Sequence, residues 1–416
     1  MSNQSTKNSG MNDDGMLNAE TQRKLPQGKI SQPKLRFKGF TDPWQQRKLG
    51  EVTSSLSAGR SVNALDAYPG EEEVGVLKTS SVSDDSFNPH ESKTVVKDER
   101  GLVQCPVEAG TIIVSRMNTP ERVGSCGLVV KAQSNLYLPD RLWKLKLKSG
   151  TDSRFLHVLL SSNIYKSRIV RMATGTSGSM HNIPKDSFLD MRIVLPDIAE
   201  QTRIGEFFRA LDDLIAAAKK KADLLKLKKR YYLQAIFSQQ LRFKGFTGPW
   251  QQRKLGDLLK FERPDRYIEP DGDYLSKGAT PVLTANKGFV LGYTNNPEGI
   301  YDKGPCVIFD DFTLDRKLVR CPFKVRSSAI KILTANPSVD LYFMFELLEF
   351  QKFPSLGHAR HYISVVEPWR TPVPDYLEQT HIGEMFRVMD DLIVAVTRRI
   401  ELLERQKTAY LQCLFV

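Results

Sequence analysis

Apolar residues recur every three or four positions along two stretches of this chain, residues 196–237 and 374–415. The steps alternate between four and three for more than four heptads, which predicts a long α-helix with one apolar seam. A helix of about forty residues is about 60 Å long at 1.5 Å per residue. We assign these seam residues to a helix–helix interface: Ile204, Phe208, Leu211, Ile215, Leu225 and Tyr232 in the first stretch, and Ile382, Phe386, Met389, Ile393, Leu403 and Tyr410 in the second.

The two stretches are copies of one sequence. Aligned without a gap from residues 196 and 374, they share 22 of 42 residues. A second repeat accompanies them, because residues 35–50 and 241–256 differ only at Asp42 and Gly248. A separation of about two hundred residues is far too long for a solenoid repeat. The chain therefore follows a duplicated domain plan, and we interpret the shorter repeat as a segment that docks on the long helices.

An apolar seam of this length needs a partner. The most economical partner is the other copy, because two repeats related by a pseudo-two-fold axis meet through the same surface. An axis across the helices makes them antiparallel. A coiled coil between two separate chains stays open as the alternative.

Between the repeats lie two regions that hardly resemble each other, residues 51–195 and 257–373. Each has short strand-like runs, then a helical pattern, a polar loop with histidine and one more strand-like run. We therefore predict an α+β fold, with two globular mixed α/β domains separated by two long antiparallel coiled-coil helices. The predicted strands are 74–77, 110–114, 127–130, 142–147 and 191–195, then 280–284, 305–310 and 323–325; the predicted helices are 154–172 and 340–353.

Composition narrows the class of protein. The 416 residues are 40% hydrophobic and 26% charged, as in globular proteins, with a formal net charge of +12 that suits a polyanionic partner. Five scattered cysteines give neither a disulfide framework nor a zinc-site spacing. Since no apolar run reaches the length needed to cross a bilayer, we expect a cytoplasmic protein. Residues 1–32 are polar and aperiodic, and we interpret them as a disordered tail.

The chemistry of common enzyme sites is missing from the sequence. It contains no dinucleotide-binding glycine motif after a strand, no P-loop and no histidine pair with metal spacing. The pair Asp212–Asp213 recurs as Asp390–Asp391 beside the seam, which favours an interface role over metal binding. We therefore predict no catalytic residue, no metal site and no cofactor in this chain.

Basic and amide side chains gather around the turns of the two variable regions. Arg, Lys, Asn and His on such loops are the residues that contact phosphates and base edges in DNA. The candidate DNA-binding residues are Arg116, Arg141, Lys166, Arg168, Arg171, Ser177, His181, Asn182 and Lys185 in the first region, and Asn286, Lys287, Arg316, Lys317, Arg320, His358, Arg360, His361 and Tyr362 in the second.

The whole arrangement resembles the specificity subunit of a type I restriction–modification system. The resemblance covers everything after the tail and lies in the order of variable region, PDIAEQTRIGEFFRALDDLI helix, LRFKGFTGPWQQRKLG link, variable region and PDYLEQTHIGEMFRVMDDLI helix. The P-x-x-x-E-Q-x-x-I opening of both helices is characteristic of the family.

The resemblance implies two target-recognition domains, each reading one half of a bipartite double-stranded DNA site, with the helices as a spacer. It also implies two methyltransferase subunits docked on the helices and restriction subunits that cleave DNA. S-adenosylmethionine, ATP and magnesium are then expected on those partner subunits. The implied division of the chain is 1–32 (tail), 33–195 (first recognition domain with its docking segment), 196–238 (first helix), 239–373 (link and second recognition domain) and 374–416 (second helix).

A second interpretation stays open on the residues alone. A structural adaptor could use the long helices in bundles between chains and bind proteins through its variable domains. Such an adaptor should oligomerise and show no steep dependence of DNA binding on salt.

Overall fold

The structure is a computed structural model. It describes residues 33–83, 86–177, 180–270, 272, 274–286, 288–354, 357 and 359–415, except for the side chains of residues 176 and 177. Unit 1 comprises the described residues up to Leu211 together with those from Gln406 onward, and unit 2 comprises those from Asp212 to Arg405. No helix within the described ranges is long and apolar enough to cross a membrane.

Unit 1 contains the first variable region. Its helices are α1 (Leu49–Val52), α2 (Ser153–Ser161), α3 (Asn163–Met172), α4 (Lys185–Leu189) and the first part of α5 (Ile198–Phe237). Its strands are β1 (Gln45–Lys48), β2 (Thr53–Ala58), β3 (Ala64–Leu65), β4 (Gly75–Leu77), β5 (Val82–Ser83), β6 (Ser86–Phe87), β7 (Ser92–Val95), β8 (Pro106–Val107), β9 (Ile112–Ser115), β10 (Met117–Asn118), β11 (Cys126–Leu128), β12 (Gln133–Tyr137), β13 (Leu142–Leu147), β14 (Thr174–Ser177), β15 (Met180–Asn182) and β16 (Arg192–Leu195).

Unit 2 contains the second variable region. Its helices are α6 (Leu255–Leu258), α7 (Leu341–Phe350), most of α8 (Tyr376–Leu414) and a π-helical turn at Tyr362–Val366. Its strands are β17 (Gln251–Lys254), β18 (Leu259–Glu262), β19 (Thr280–Leu283), β20 (Val290–Thr294), β21 (Cys306–Asp310), β22 (Arg316–Val319), β23 (Lys324–Val325), β24 (Ile330–Ala335) and β25 (Arg370–Val373).

The two units share a plan despite their different sequences. A four-stranded antiparallel sheet runs β11-β9-β13-β2 in unit 1 and β22-β21-β24-β18 in unit 2. A two-stranded pairing closes each domain, β1 with β16 and β17 with β25. Unit 1 also has a five-stranded sheet, β3-β7-β4-β12-β8, a three-stranded sheet, β10-β15-β14, and the pair β5-β6. Unit 2 has a three-stranded sheet, β20-β19-β23. The predicted mixed α/β class agrees with this arrangement.

Most predicted strands and the helix at 340–353 appear close to their predicted positions. The helix predicted at 154–172 is instead two helices, because Ser162 adopts an extended backbone with φ −65° and ψ 147°. Both long helices begin two residues after the predicted proline. Asp197 and Asp375 cap them, each accepting a hydrogen bond from a backbone N–H three residues on.

Burial along the long helices follows the four–three spacing. Between residues 209 and 231 every residue of α5 is exposed except Leu211, Ile215, Ala218, Ala222, Leu225 and Lys229; between 391 and 409 every residue of α8 is exposed except Ile393, Val396, Ile400, Leu403 and Lys407. Of the remaining interface candidates, Ile204, Phe208, Ile382 and Phe386 are buried, and Tyr232, Met389 and Tyr410 are half-buried.

Each unit contains a stretch of both helices, and the two stretches contact each other within the unit. In unit 1, Phe207 contacts Tyr410 with ring centroids 5.0 Å apart, and Phe208 stacks on Phe415 at 6.2 Å. In unit 2, Lys219 pairs with Glu404, Lys229 with Asp390, and Phe237 stacks on Phe386. In unit 2 the residue numbers therefore rise along α5 as they fall along α8, so the two stretches run antiparallel in that unit.

Candidate nucleic-acid interface

A buried carboxylate attaches the short repeat of unit 1 to its long helix. Glu200 is fully buried near the start of α5 and accepts two hydrogen bonds from the Arg36 guanidinium, at 2.9 and 2.6 Å. Its Oε2 also accepts the indole N–H of Trp44 at 3.1 Å. The carboxylate raises the pKa of Arg36 through these hydrogen bonds. The Arg36 charge offsets the cost of burying Glu200, so the two groups hold the repeat on the helix.

Unit 2 repeats this arrangement. Glu378 accepts from Arg242 at 2.9 and 2.6 Å and from the Trp250 indole at 3.2 Å. These contacts are the kind that the predicted docking role of the short repeat requires. The spacing pattern does not identify Glu200 as the anchor of the repeat, because its partners Arg36 and Trp44 lie far away in the sequence.

The glutamine after each buried glutamate holds the variable domain. Gln201 Oε1 accepts the backbone N–H of Asp152, the residue that caps α2, at 3.0 Å. Its amide group donates to the Pro196 carbonyl at 2.9 Å. Gln379 makes the same two bonds in unit 2, to the backbone N–H of Asp340 at 3.1 Å and to the Pro374 carbonyl at 2.9 Å. The E-Q pair of each helix opening therefore fixes both the short repeat and the domain helix.

A charged cluster joins the second domain to both long helices. The Lys229 ammonium donates to Glu346 of α7 at 2.7 Å and to both oxygens of Asp390 at 2.8 Å. Tyr342 donates to Asp390 at 2.8 Å. Burial raises the pKa of Glu346 to about 7, although Lys229 pulls it the other way. The interface role predicted for Asp390 agrees with these contacts.

Four candidates of the first domain come together at one end of its four-stranded sheet. The backbone of Arg116 pairs with that of Arg141 and that of Ile183, which follows His181 and Asn182. Arg116 is half-buried, donates to the Asp140 carbonyl at 2.7 Å and lies over the Trp143 ring. The Arg141 side chain is exposed, and His181 and Asn182 are half-buried. This end of the sheet presents cationic and amide groups, the chemistry that phosphates and base edges require.

Four further candidates of unit 1 lie on the helices α3 and α4, and one lies on a strand. The guanidinium carbon of Arg168 lies 4.8 Å from the ring centroid of Tyr165 on α3. Arg171 donates a hydrogen bond to the Ser167 carbonyl one turn earlier. Lys166 is half-buried on α3, and Lys185 is exposed on α4. Ser177 ends β14, and its side chain lies outside the described part of the structure.

Two predicted cations of unit 2 are held by acidic partners far away in sequence. Arg316 pairs with Glu349 at 2.9 Å. Arg320 forms an ion pair with Asp391 at 3.1 Å and donates a hydrogen bond to the Tyr342 hydroxyl at 2.9 Å. Their charges are therefore largely compensated within the protein, whereas Lys317 between them is exposed.

Two of the remaining DNA-binding candidates of unit 2, His361 and Tyr362, were predicted wrongly. His361 and Tyr362 are fully buried, and Tyr362 packs in the apolar core of the unit. Neither ring has a surface with which to contact DNA, because each is enclosed by its own domain. Arg360 is exposed and Asn286 is half-buried, while Lys287 and His358 lie outside the described residues.

Both long helices carry a second row of apolar side chains that stays exposed. On α5 the row includes Leu214 and Leu224, each about half exposed. On α8 the residues 178 positions later, Leu392 and Leu402, are exposed to a similar degree. Exposed leucines at matching positions of both helices suit a surface that another helix covers.

Among the described residues, no group of three or more His, Cys, Asp or Glu side chains lies close enough to hold a metal ion.

Comparison with known proteins finds similarity to DNA specificity proteins, first of all in the first half of the chain. Residues 41–227 match the family described as "Type I restriction modification DNA specificity domain". The chain is 35% identical over 169 residues to the type I restriction enzyme EcoR124I/EcoR124II specificity subunit of Escherichia coli. That match spans 38% of this chain and 42% of the relative, so the chain covers less than half of the relative's length.

Two further similarities extend over nearly the whole chain. The putative type I restriction enzyme MjaX specificity subunit of Methanocaldococcus jannaschii is 21% identical over 395 residues, which is 88% of this chain and 91% of that protein. The fold matches the crystal structure of a type I restriction-modification system S subunit from M. genitalium, with a TM-score of 0.65 and 17% identity, over 93% of this chain and 99% of that one. The resemblance stated from the sequence is therefore confirmed.

Proposed function

We propose that this chain is the DNA sequence-specificity subunit of a type I restriction–modification system. The observation that carries the proposal is the match of residues 41–227 to the specificity-domain family, on a chain whose second half repeats the same plan. The net charge of +12 and the exposed cations at the sheet ends suit a DNA partner.

Each variable domain reads one half of a bipartite site in this proposal. Two observations support it. The four-stranded sheets have equivalent strand orders, and the same docking bonds attach each domain to its long helix. The loops at the ends of the sheets differ, with Arg116 and Arg141 in unit 1 and Asp311 and Ala329 at the equivalent backbone pairing in unit 2. Two domains with the same sheet order but different loops suit the recognition of two different half-sites.

The paired long helices set the spacing between the half-sites. The helices have 40 and 39 residues, and their apolar seam has the period of a coiled coil. A heptad inserted at matching places in both helices adds about 10 Å of length. It should widen the gap in the DNA site by about three base pairs and leave both half-sites unchanged. An unchanged gap would contradict the spacer role.

Methyltransferase subunits dock on the helices, and the chain itself carries out no chemistry. The exposed apolar row with Leu214 and Leu392 supports a helical partner on each copy. The catalytic cofactor S-adenosylmethionine belongs to those partners, as do ATP and magnesium to the restriction subunits.

The test is a methylation assay on the assembled complex. The chain is purified with the methyltransferase subunits encoded beside it, and DNA of random sequence is methylated and sequenced. We expect one bipartite motif with a methylated adenine in each half, and DNA binding that weakens steeply with salt. Methylation without sequence preference would overturn the proposal.

A further inference from the structure

The turn between β21 and β22, residues 311–315, is a rigid tip that presents a phenylalanine to solvent. Asp310 Oδ1 accepts the backbone N–H groups of Phe312 and Thr313, both at 2.9 Å. Leu314 adopts a left-handed backbone with φ 63° and packs against the core of unit 2. Phe312 in contrast is 41% exposed. The turn is thus closed by its own hydrogen bonds and buries Leu314 rather than Phe312.

A buried ion pair braces this tip against the rest of the domain. Asp311 Oδ2 lies 3.2 Å from the Lys331 ammonium, and both side chains are almost fully buried. Asp311 Oδ1 accepts the backbone N–H of Tyr362 at 2.7 Å, and its carbonyl accepts that of His361 at 2.9 Å. The loop that carries Arg360 is therefore fixed to the tip.

Arg360 and Phe312 meet as a result. The guanidinium carbon lies 5.8 Å from the centroid of the Phe312 ring, within cation–π distance. Among the described residues Arg360 forms no ion pair. Asp310 and Asp311, the acidic residues beside it, are occupied by turn hydrogen bonds and by Lys331.

A third loop adds to the same surface. Asn286 donates to Asp310 Oδ2 at 3.4 Å, which brings Asn286 next to the tip. Phe289 in that loop is 37% exposed, and its carbonyl accepts the backbone N–H of Thr284. Isolated exposed apolar residues are common on protein surfaces. Here the exposed Phe312 ring lies beside the Arg360 cation, with Asn286 on the adjoining loop, and these three side chains form a mixed apolar and polar patch.

The chemistry of this patch fits nucleic acid. An exposed aromatic ring can pack on a base or enter a base step, and a neighbouring arginine can bind a phosphate or a base edge. We propose that Phe312 and Arg360 are specificity-determining residues of unit 2, with Phe312 packed on a base and Arg360 on the flanking backbone. This inference rests on the proposed function. Asp311 and His361 are positioning residues, since they act through the loops they fix.

The test compares methylation motifs and DNA affinities of variants in the complex with methyltransferase subunits. The variants Phe312→Ala and Arg360→Ala remove the proposed contacts. Leu275→Ala and Arg370→Ala are matched controls, because they remove an equally exposed apolar side chain (44%) and an exposed arginine elsewhere in unit 2. Arg141→Ala in unit 1 identifies which half of the motif belongs to which domain.

We expect Phe312→Ala and Arg360→Ala to relax one half-site or to weaken its binding by about tenfold or more, and to leave the other half unchanged. Phe312→Trp retains a ring and should retain the motif, which separates loss of the contact from loss of folding. If the wild-type complex reads a bipartite motif and both alanine variants keep it with full affinity, this inference is overturned and the proposed function stands. If the wild type reads no motif, both are overturned.

Discussion

The indole N–H of Trp44 donates to Oε2 of Glu200 at 3.1 Å, at a place where both side chains are almost fully buried. A carboxylate in such a place is costly unless a cation and hydrogen-bond donors satisfy it. Arg36 supplies the cation for Glu200. For Glu378, Arg242 supplies the cation and the Trp250 indole supplies the N–H donor. The near-identity of the two short repeats therefore has a physical reason, because both supply the same donors to the same buried acceptor.

The first prediction concerns this acceptor. Glu200→Gln should destabilise unit 1 by about 2–4 kcal/mol, since the neutral amide leaves the Arg36 charge without its partner. Urea unfolding followed by fluorescence measures the change. Glu206→Gln, an exposed position on the same helix, is the control and should change stability by less than about 0.5 kcal/mol.

The second prediction concerns the glycine that follows each helix opening. Alanine is normally about 1 kcal/mol better than glycine within a helix. A Cβ at Gly383 would, however, lie 2.2 Å from Oδ1 of Asp340, the cap of α7, whereas at Gly205 the nearest atom, Asp152 Oδ1, lies at 2.9 Å.

Gly383→Ala should therefore destabilise unit 2 by about 1–3 kcal/mol, and Gly205→Ala should cost unit 1 less. Thermal unfolding of the two variants checks the order. Equal or stabilising effects would show that the helix and domain are not in such close contact.

The third prediction is a pH dependence. Burial raises the pKa of Glu346 from 4.5 to about 7, so the folded protein holds this proton more tightly than the unfolded chain. The contribution of Glu346 to the free energy of unfolding should therefore fall as pH rises from about 4.5 to about 7, and stay level above it.

Glu346→Gln should remove this slope, because glutamine does not titrate. Unfolding curves of wild type and variant at several pH values provide the measurement. Glu401→Gln, an exposed position on α8, is the control and should keep the slope. A slope that persists in Glu346→Gln would assign it to another group.

The fourth prediction concerns the exposed apolar row. Leu402→Lys should weaken binding of a methyltransferase subunit by about tenfold or more, since a buried leucine contributes about 1.5–3 kcal/mol. Stability of the isolated chain should be nearly unchanged, because Leu402 is 49% exposed. Thr397→Lys adds the same single charge at another exposed position of α8 and should bind normally. Equal losses in both variants would indicate a charge effect instead of a docking contact.

The sequence predicted the long helices well because their apolar spacing is local information. Ile204 and Ile382, read from that spacing alone, are buried in the cores of their units. The break at Ser162 was missed, since the apolar pattern runs through it and only the backbone angles reveal the end of α2.

The candidate DNA residues were harder to predict because charge partners come from distant parts of the chain. Arg316 and Arg320 looked like free cations, but Glu349 and Asp391 pair with them in the folded unit. His361 looked like a loop residue, yet it lies in the interior beside Asp311. Phe312 was not selected at all, because only the folded turn shows that it points into solvent.

The most direct measurement is a domain exchange read by methylation-sensitive genome sequencing. A host carrying the system with residues 257–373 replaced by the second variable region of a related subunit is compared with one carrying the wild type. The account predicts a bipartite motif in both hosts, in which one half changes with the exchange and the other half stays the same. A motif that changes in both halves, or in neither, would contradict the claim that each domain reads its own half-site.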